Sequence, residues 1–96
     1  MSGLESLKIY TMAEELEIDV HKLTKEFPVD EKYRSVDQLR RSSSSVTNNI
    51  AEAYRKQTVK EQTHILRSTV CCEIEETRTN LIRCGKKELC DKKQIN

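Results

Sequence analysis

The chain has 96 residues, 35% hydrophobic and 34% charged, with two glycines, one proline and four cysteines. A chain this short forms one domain with a modest core, burying roughly 60–65% of its unfolded surface. Scarce Gly and Pro exclude a turn-rich β domain. The lack of any apolar run of about 18 residues excludes a membrane span.

The first helix is expected over residues 4–26. Ile9, Ala13, Leu16, Val20, Leu23 and Phe27 step alternately by four and three, the period of a bundle seam. Leu4, Leu7 and Ile18 lie off that seam, so the helix is expected to pack twice, with these three at a subunit interface. Pro28 stops it, and the residue before a proline avoids the α region. Phe27 and Tyr33 read as packing residues, with Tyr33 laid over the bundle end. Ser35-Val36-Asp37-Gln38 has the form of a capping box, Ser35 at the N-cap.

A second helix follows over residues 36–56. Val36, Leu39, Ser43, Val46, Ile50 and Ala53 form its apolar stripe, so Ser42 to Ser45 sit inside a helix and allow a neighbour to come close. The opposite face carries Arg41, Asn48, Glu52 and Arg55. A second capping box, Thr58-Val59-Lys60-Glu61, opens a third helix over residues 59–84. Its stripe is Leu66, Val70, Glu73, Thr77, Leu81 and Cys84. A carboxylate in such a stripe calls for a partner, and Arg40 or Asn49 on the second helix is expected to pair with Glu73. Gly85 is placed to close the helix in a left-handed conformation. Residues 86–96 form a short tail.

Formal charge is uneven. Residues 1–34 hold five Lys/Arg against eight Asp/Glu, net −3; residues 35–67 hold six against three, net +3; residues 68–96 hold six against five, net +1. Arg41, Arg55, Lys56 and Lys60 are the candidates for contact with an RNA or DNA backbone, against the plainer reading of a solvated helix face. Few aromatics argue against base stacking. No phosphate loop, nucleophile–base pair or spaced ligand set is present, so no catalytic residue, cofactor or metal is expected. His21 and His64 read as ordinary bundle or surface histidines. The four cysteines form no C-x-x-C and the N-terminus is not a secretory leader, so free thiols in a reducing cytoplasm are expected.

Gln38-Leu39-Arg40-Arg41, Ser45-Val46, Asn49-Ile50-Ala51-Glu52 and Arg55 together resemble the signature of the four-helix-bundle proteins encoded in intervening sequences of bacterial 23S rRNA genes. The accessory protein of diversity-generating retroelements is a related bundle. Leu23-Thr24-Lys25-Glu26-Phe27-Pro28, Glu31-Lys32-Tyr33 and Glu73-Ile74-Glu75 extend the likeness over most of the chain. The resemblance implies an all-α, antiparallel up-down bundle and a homo-oligomeric ring, commonly a pentamer, with nucleic-acid contact. The chain departs from the family where a full fourth helix would follow: Glu88 to Asn96 supply about two turns, roughly 13 Å. The truncated fourth helix leaves apolar surface on the first and third helices to be covered by another subunit or the tail, or tolerated. The alternatives to a nucleic-acid role are a protein–protein interaction scaffold and a passenger protein of a mobile element.

Overall fold

The computed structural model describes Gly3 and residues 7–89, and every regular element among them is helical. Helix α1 is Lys8–Thr24 and α2 is Asp37–Arg55. The third rod comprises α3 (Val59–Ile65), a π-helical turn (Leu66–Val70) and α4 (Cys71–Lys86), with right-handed helical backbone through both junctions. The radius of gyration of the chain, 14.5 Å, exceeds the roughly 12.5 Å of a compact globule of this length. None of the described helices is long and apolar enough to cross a membrane.

Two apolar clusters fix the order of the rods. At one end Val20 and Phe27 of the α1 side meet Val36, Leu39 and Cys84. At the other end Ala13 meets Val46, Ile50 and Val70. The end of α1 therefore meets the start of α2, and the end of α2 meets the start of the third rod, so neighbours run antiparallel. Helix α2 packs against both α1 and α4, which scarcely touch each other. Leu39 is completely buried, as are Ser42 and Ser43 beside it. These serines tolerate burial because their hydroxyls are satisfied: Ser43 Oγ donates to the Leu39 carbonyl at 2.7 Å, and Ser42 Oγ lies 2.7 Å from Thr77 Oγ1.

The helix ends differ from expectation in instructive ways. Leu7 is extended (φ −75°, ψ 126°), so α1 begins only at Lys8 and Leu7 leaves the helical register. Leu4 lies outside the described residues. Ser35 does not cap α2. A 3-10 turn at Val29–Glu31 and a π-helical turn at Lys32–Val36 feed helical backbone into Asp37, so no extended residue remains for Ser35 to cap. Its hydroxyl instead donates to Glu31 Oε2 at 3.0 Å. Tyr33 is exposed rather than laid over the bundle end, with Lys32 Nζ 5.5 Å from its ring centre. Thr58 does cap α3, accepting from the Glu61 N–H at 3.1 Å.

Gly85 is buried inside α4, and Glu88 takes the left-handed role with φ 61°. The Glu88 N–H reaches the Gly85 carbonyl at 3.1 Å and the Leu89 N–H reaches Cys84 at 3.0 Å. This pairing closes the helix, and Leu89 folds back onto the cluster containing Cys84. That apolar contact, rather than the nearest glycine, sets where the helix stops.

Two predictions follow from these ends. A left-handed L-residue costs about 1–2 kcal/mol, and glycine returns part of that gain as unfolded-chain entropy. Glu88→Gly is expected to stabilise by about 0.5–1 kcal/mol, raising Tm by about 2–6 °C in a thermal melt. The Ser35 hydroxyl, with Lys87 and Arg34 at longer range, holds the Glu31 carboxyl below its ordinary 4.5. A carboxyl depressed on folding stabilises fully above its unfolded pKa, and the contribution drains as pH falls through the folded value. Acidifying from neutrality to below 4.5 is therefore expected to lower Tm less in Ser35→Ala than in the wild type; equal losses would show that the Glu31–Ser35 bond carries none of the acid sensitivity.

Candidate nucleic-acid interface and apolar trough

The four cations singled out in the sequence fall in two places. Lys56 is the extended residue that ends α2 (φ −70°, ψ 147°), its carbonyl held by Gln62 Nε2 at 3.1 Å. Lys60 stands on the first turn of α3, and both line an open cleft with His64 and Arg67. Arg55, exposed, is the last residue of α2 beside that cleft. Arg41 is exposed some 14 residues earlier, about 21 Å along the helix. Lys60, His64 and Arg67 share one side of the third rod by their spacing, a signal present in the sequence. Glu52 and Glu61 also line the cleft, so its three formal cations are opposed by two carboxylates.

Arg40, Asn49 and Glu73 do not come together. Arg40 crosses to α1: its Nε donates to Thr24 Oγ1 at 2.9 Å and its Nη2 to the His21 carbonyl at 3.4 Å. Asn49 turns back on its own helix, donating to the Ser45 carbonyl at 2.8 Å and to Ser45 Oγ at 2.9 Å. The buried line of the third rod runs through Val70, Thr77 and Cys84. Glu73 lies half-buried beside that line, where water still reaches it. Its carboxylate therefore needs no internal cation, and it makes no hydrogen bond or ion pair with a described residue. Among the described residues the ion pair present is Arg78–Glu75, at 3.4 Å on the surface.

Leu7 and Ile18 do not share a face. Leu7 lies over the far end of the bundle with Ile50, Ala53, Tyr54 and Leu66. Ile18 borders a groove between α1 and α2 with Lys22, Lys25 and Arg40. The larger apolar exposure is elsewhere. Because α1 and α4 diverge across α2, they leave a trough of about 430 Å³ with Val46 and Ile50 in its floor. Ile9, Met12 and Leu16 form one wall, Cys71 and Ile74 the other, and among the described residues no charged side chain lines it. Ile9 is 49% exposed, Met12 57% and Ile74 43%, although Ile9 fits the seam periodicity. The sequence shows the stripe but not that its facing partner would stand too far away to cover it.

Three of the four cysteines are described, Cys90 lying outside the described residues. Cys71 and Cys72 are exposed and unpaired, while burial pushes the Cys84 thiol up, away from the reactive thiolate. Among the described residues no group of three His, Cys, Asp or Glu side chains is placed to hold a metal.

The fork from Arg40 to Thr24 and His21 ties α2 to the end of α1. Arg40→Lys keeps the charge but loses the planar two-point contact. It is expected to cost about 1 kcal/mol, a partly exposed charge-assisted bond being worth less than a buried one, measured by urea denaturation.

The family model described as 23S rRNA-intervening sequence protein matches residues 5–96. No curated protein matches the chain.

Proposed function

The chain belongs to the 23S rRNA-intervening sequence protein family, and we propose that it is a non-catalytic, cytoplasmic, self-associating bundle that presents cations to an RNA or DNA backbone. The observation that carries self-association is the trough. Its apolar walls lie on α1 and α4, two rods that scarcely touch each other. Contiguous apolar surface of this kind marks an interaction site. A second copy seated there removes Ile9, Met12 and Ile74 from water, and repetition by symmetry closes a ring. The family resemblance implies five copies. The interface is then placed at the Ile9–Met12–Ile74 surface.

Nucleic-acid contact rests on Arg41, Arg55, Lys56 and Lys60, each exposed or half-exposed and without a carboxylate ion pair among the described residues. Repeated around an assembly, such cations release counterions together and make binding steeply salt-dependent. One observation favours a protein-interaction scaffold instead: Asp37 and Glu52 share the exposed side of α2 with Arg41 and Arg55 and neutralise it formally. The scaffold reading is kept as the alternative.

Size-exclusion chromatography with light scattering tests the assembly. The wild type is expected to run as a multimer at micromolar concentration. The double variant Ile9→Glu/Met12→Glu is expected to run as a monomer with unchanged helical circular dichroism. A monomeric wild type overturns self-association.

A further inference from the structure

We propose that the groove between α1 and α2, lined by Lys22, Lys25 and Arg40, is a phosphodiester-binding subsite and the stronger of two ends of one track. The inference rests on the nucleic-acid reading above but adds residues that the α2 sequence pattern did not single out. The groove is open, about 370 Å³, with His21, Ser43, Ile18 and Glu17 completing its lining.

Charge separates this groove from the cleft at the other end of α2. Three formal cations face one carboxylate here, net +2, whereas the cleft at Lys56, Lys60 and Arg67 faces two carboxylates, net +1. None of the three groove cations has an ion pair among the described residues. The carbonyl end of α1 draws cations on its own last turns, such as Lys22, and also the Arg40 guanidinium carried across from α2, whose Nη2 donates to the His21 carbonyl. Arg40 is held by Nε and Nη2, which leaves Nη1 with two uncommitted N–H donors on a fixed plane. A guanidinium already immobilised loses little further entropy when it meets a phosphate oxygen, and its fork suits that ligand.

The two ends are joined by the exposed side of α2. Arg40 leans to α1, Lys56 borders the third rod, and they are 16 residues apart, about 24 Å along the helix. Arg41 and Arg55 lie between them, with Ser44, Ser45, Asn48 and the exposed Glu52 carboxylate separating the pair. A duplex carries one charge per roughly 1.7 Å of axis, so a backbone crossing α2 obliquely meets cations at both ends and along the way.

The test uses fluorescence anisotropy with a short labelled RNA duplex and a DNA duplex of the same sequence, titrated across salt. Lys22→Gln/Lys25→Gln removes two exposed charges and leaves Arg40 in place. Losing two phosphate contacts per chain is expected to lower the slope of log K against log salt by about 1.8 for each chain that engages the duplex, at roughly 0.9 per contact. Lys56→Gln/Lys60→Gln is expected to lower it by no more than that. Circular dichroism and light scattering confirm that both variants keep the wild-type fold and size. If Lys22→Gln/Lys25→Gln leaves affinity and slope unchanged while Lys56→Gln/Lys60→Gln reduces both, the subsite is overturned and the broader reading stands. A wild type that binds neither duplex at low salt overturns both. Loss with RNA and DNA alike supports the subsite, since the phosphate is common to them.

Discussion

The close approach of α2 to α4, marked by the 2.7 Å contact between Ser42 Oγ and Thr77 Oγ1, governs the shape of this molecule. Both hydroxyls are almost wholly buried, and Thr77 also donates to the Glu73 carbonyl at 2.9 Å. A hydrogen bond of this sort contributes only about 1 kcal/mol net, but leaving either hydroxyl unpaired in the core would cost about 1–3 kcal/mol. The larger effect is geometric. Ser42 and Ser43 are small enough to draw a rod onto each flank of α2: Ser42 meets α4, and Ser43 borders the groove with α1. Consecutive residues project about 100° apart on a helix, so the two serines admit α1 and α4 on different sides of α2, and the apolar trough opens where those two rods part.

The same packing decides where charge goes. The core is filled by apolar side chains and by hydroxyls that, Thr47 Oγ1 excepted, are hydrogen-bonded within it, so few ionic groups are needed inside. Glu31 is the exception at one end, and a neighbouring hydroxyl rather than a cation is its hydrogen-bond partner. The Lys and Arg side chains are consequently left on the surface, where isolated ion pairs are worth about 0–1 kcal/mol. Removing surface lysines such as Lys22, Lys25 or Lys60 is nearly free for the fold. Any change in ligand affinity on removing them therefore reports on the ligand rather than on stability.

Much of the architecture is legible in the sequence because it depends on repeats within one helix. The stripe from Val36 through Leu39, Val46 and Ile50 to Ala53 is buried throughout. What escapes is whatever depends on two segments at once. Ser35 and Gln38 have the letters of a capping box, but capping requires an extended residue, and the turns from Val29 onward remove it. Gly85 has the freedom to close α4, yet closure waits three residues for Leu89 to regain the core. The pairing of Arg40 with Thr24, and its grouping with Lys22 and Lys25, joins residues from two helices and has no signature in either. The same holds for Ile9: its spacing marks it as a seam residue, and only the distance between α1 and α4 leaves it uncovered.

The trough and the cation track lie on different sides of α2. Val46 and Ile50, on the inner side, floor the trough, whereas Arg41, Asn48 and Arg55 are exposed on the outer side. A copy seated in the trough would therefore leave the track open, and each added copy would bring its own track without hiding another. On the proposed reading, weak individual charge, net +1 over the whole chain, would become compatible with tight phosphate binding, because the number of contacts would grow with the assembly while each chain stays near neutrality. That reading also makes the two properties separable. Charge placed in the trough would dissolve the proposed assembly and lower the salt slope by dividing the contacts among free chains, whereas loss of the groove lysines would lower the slope with the assembly intact.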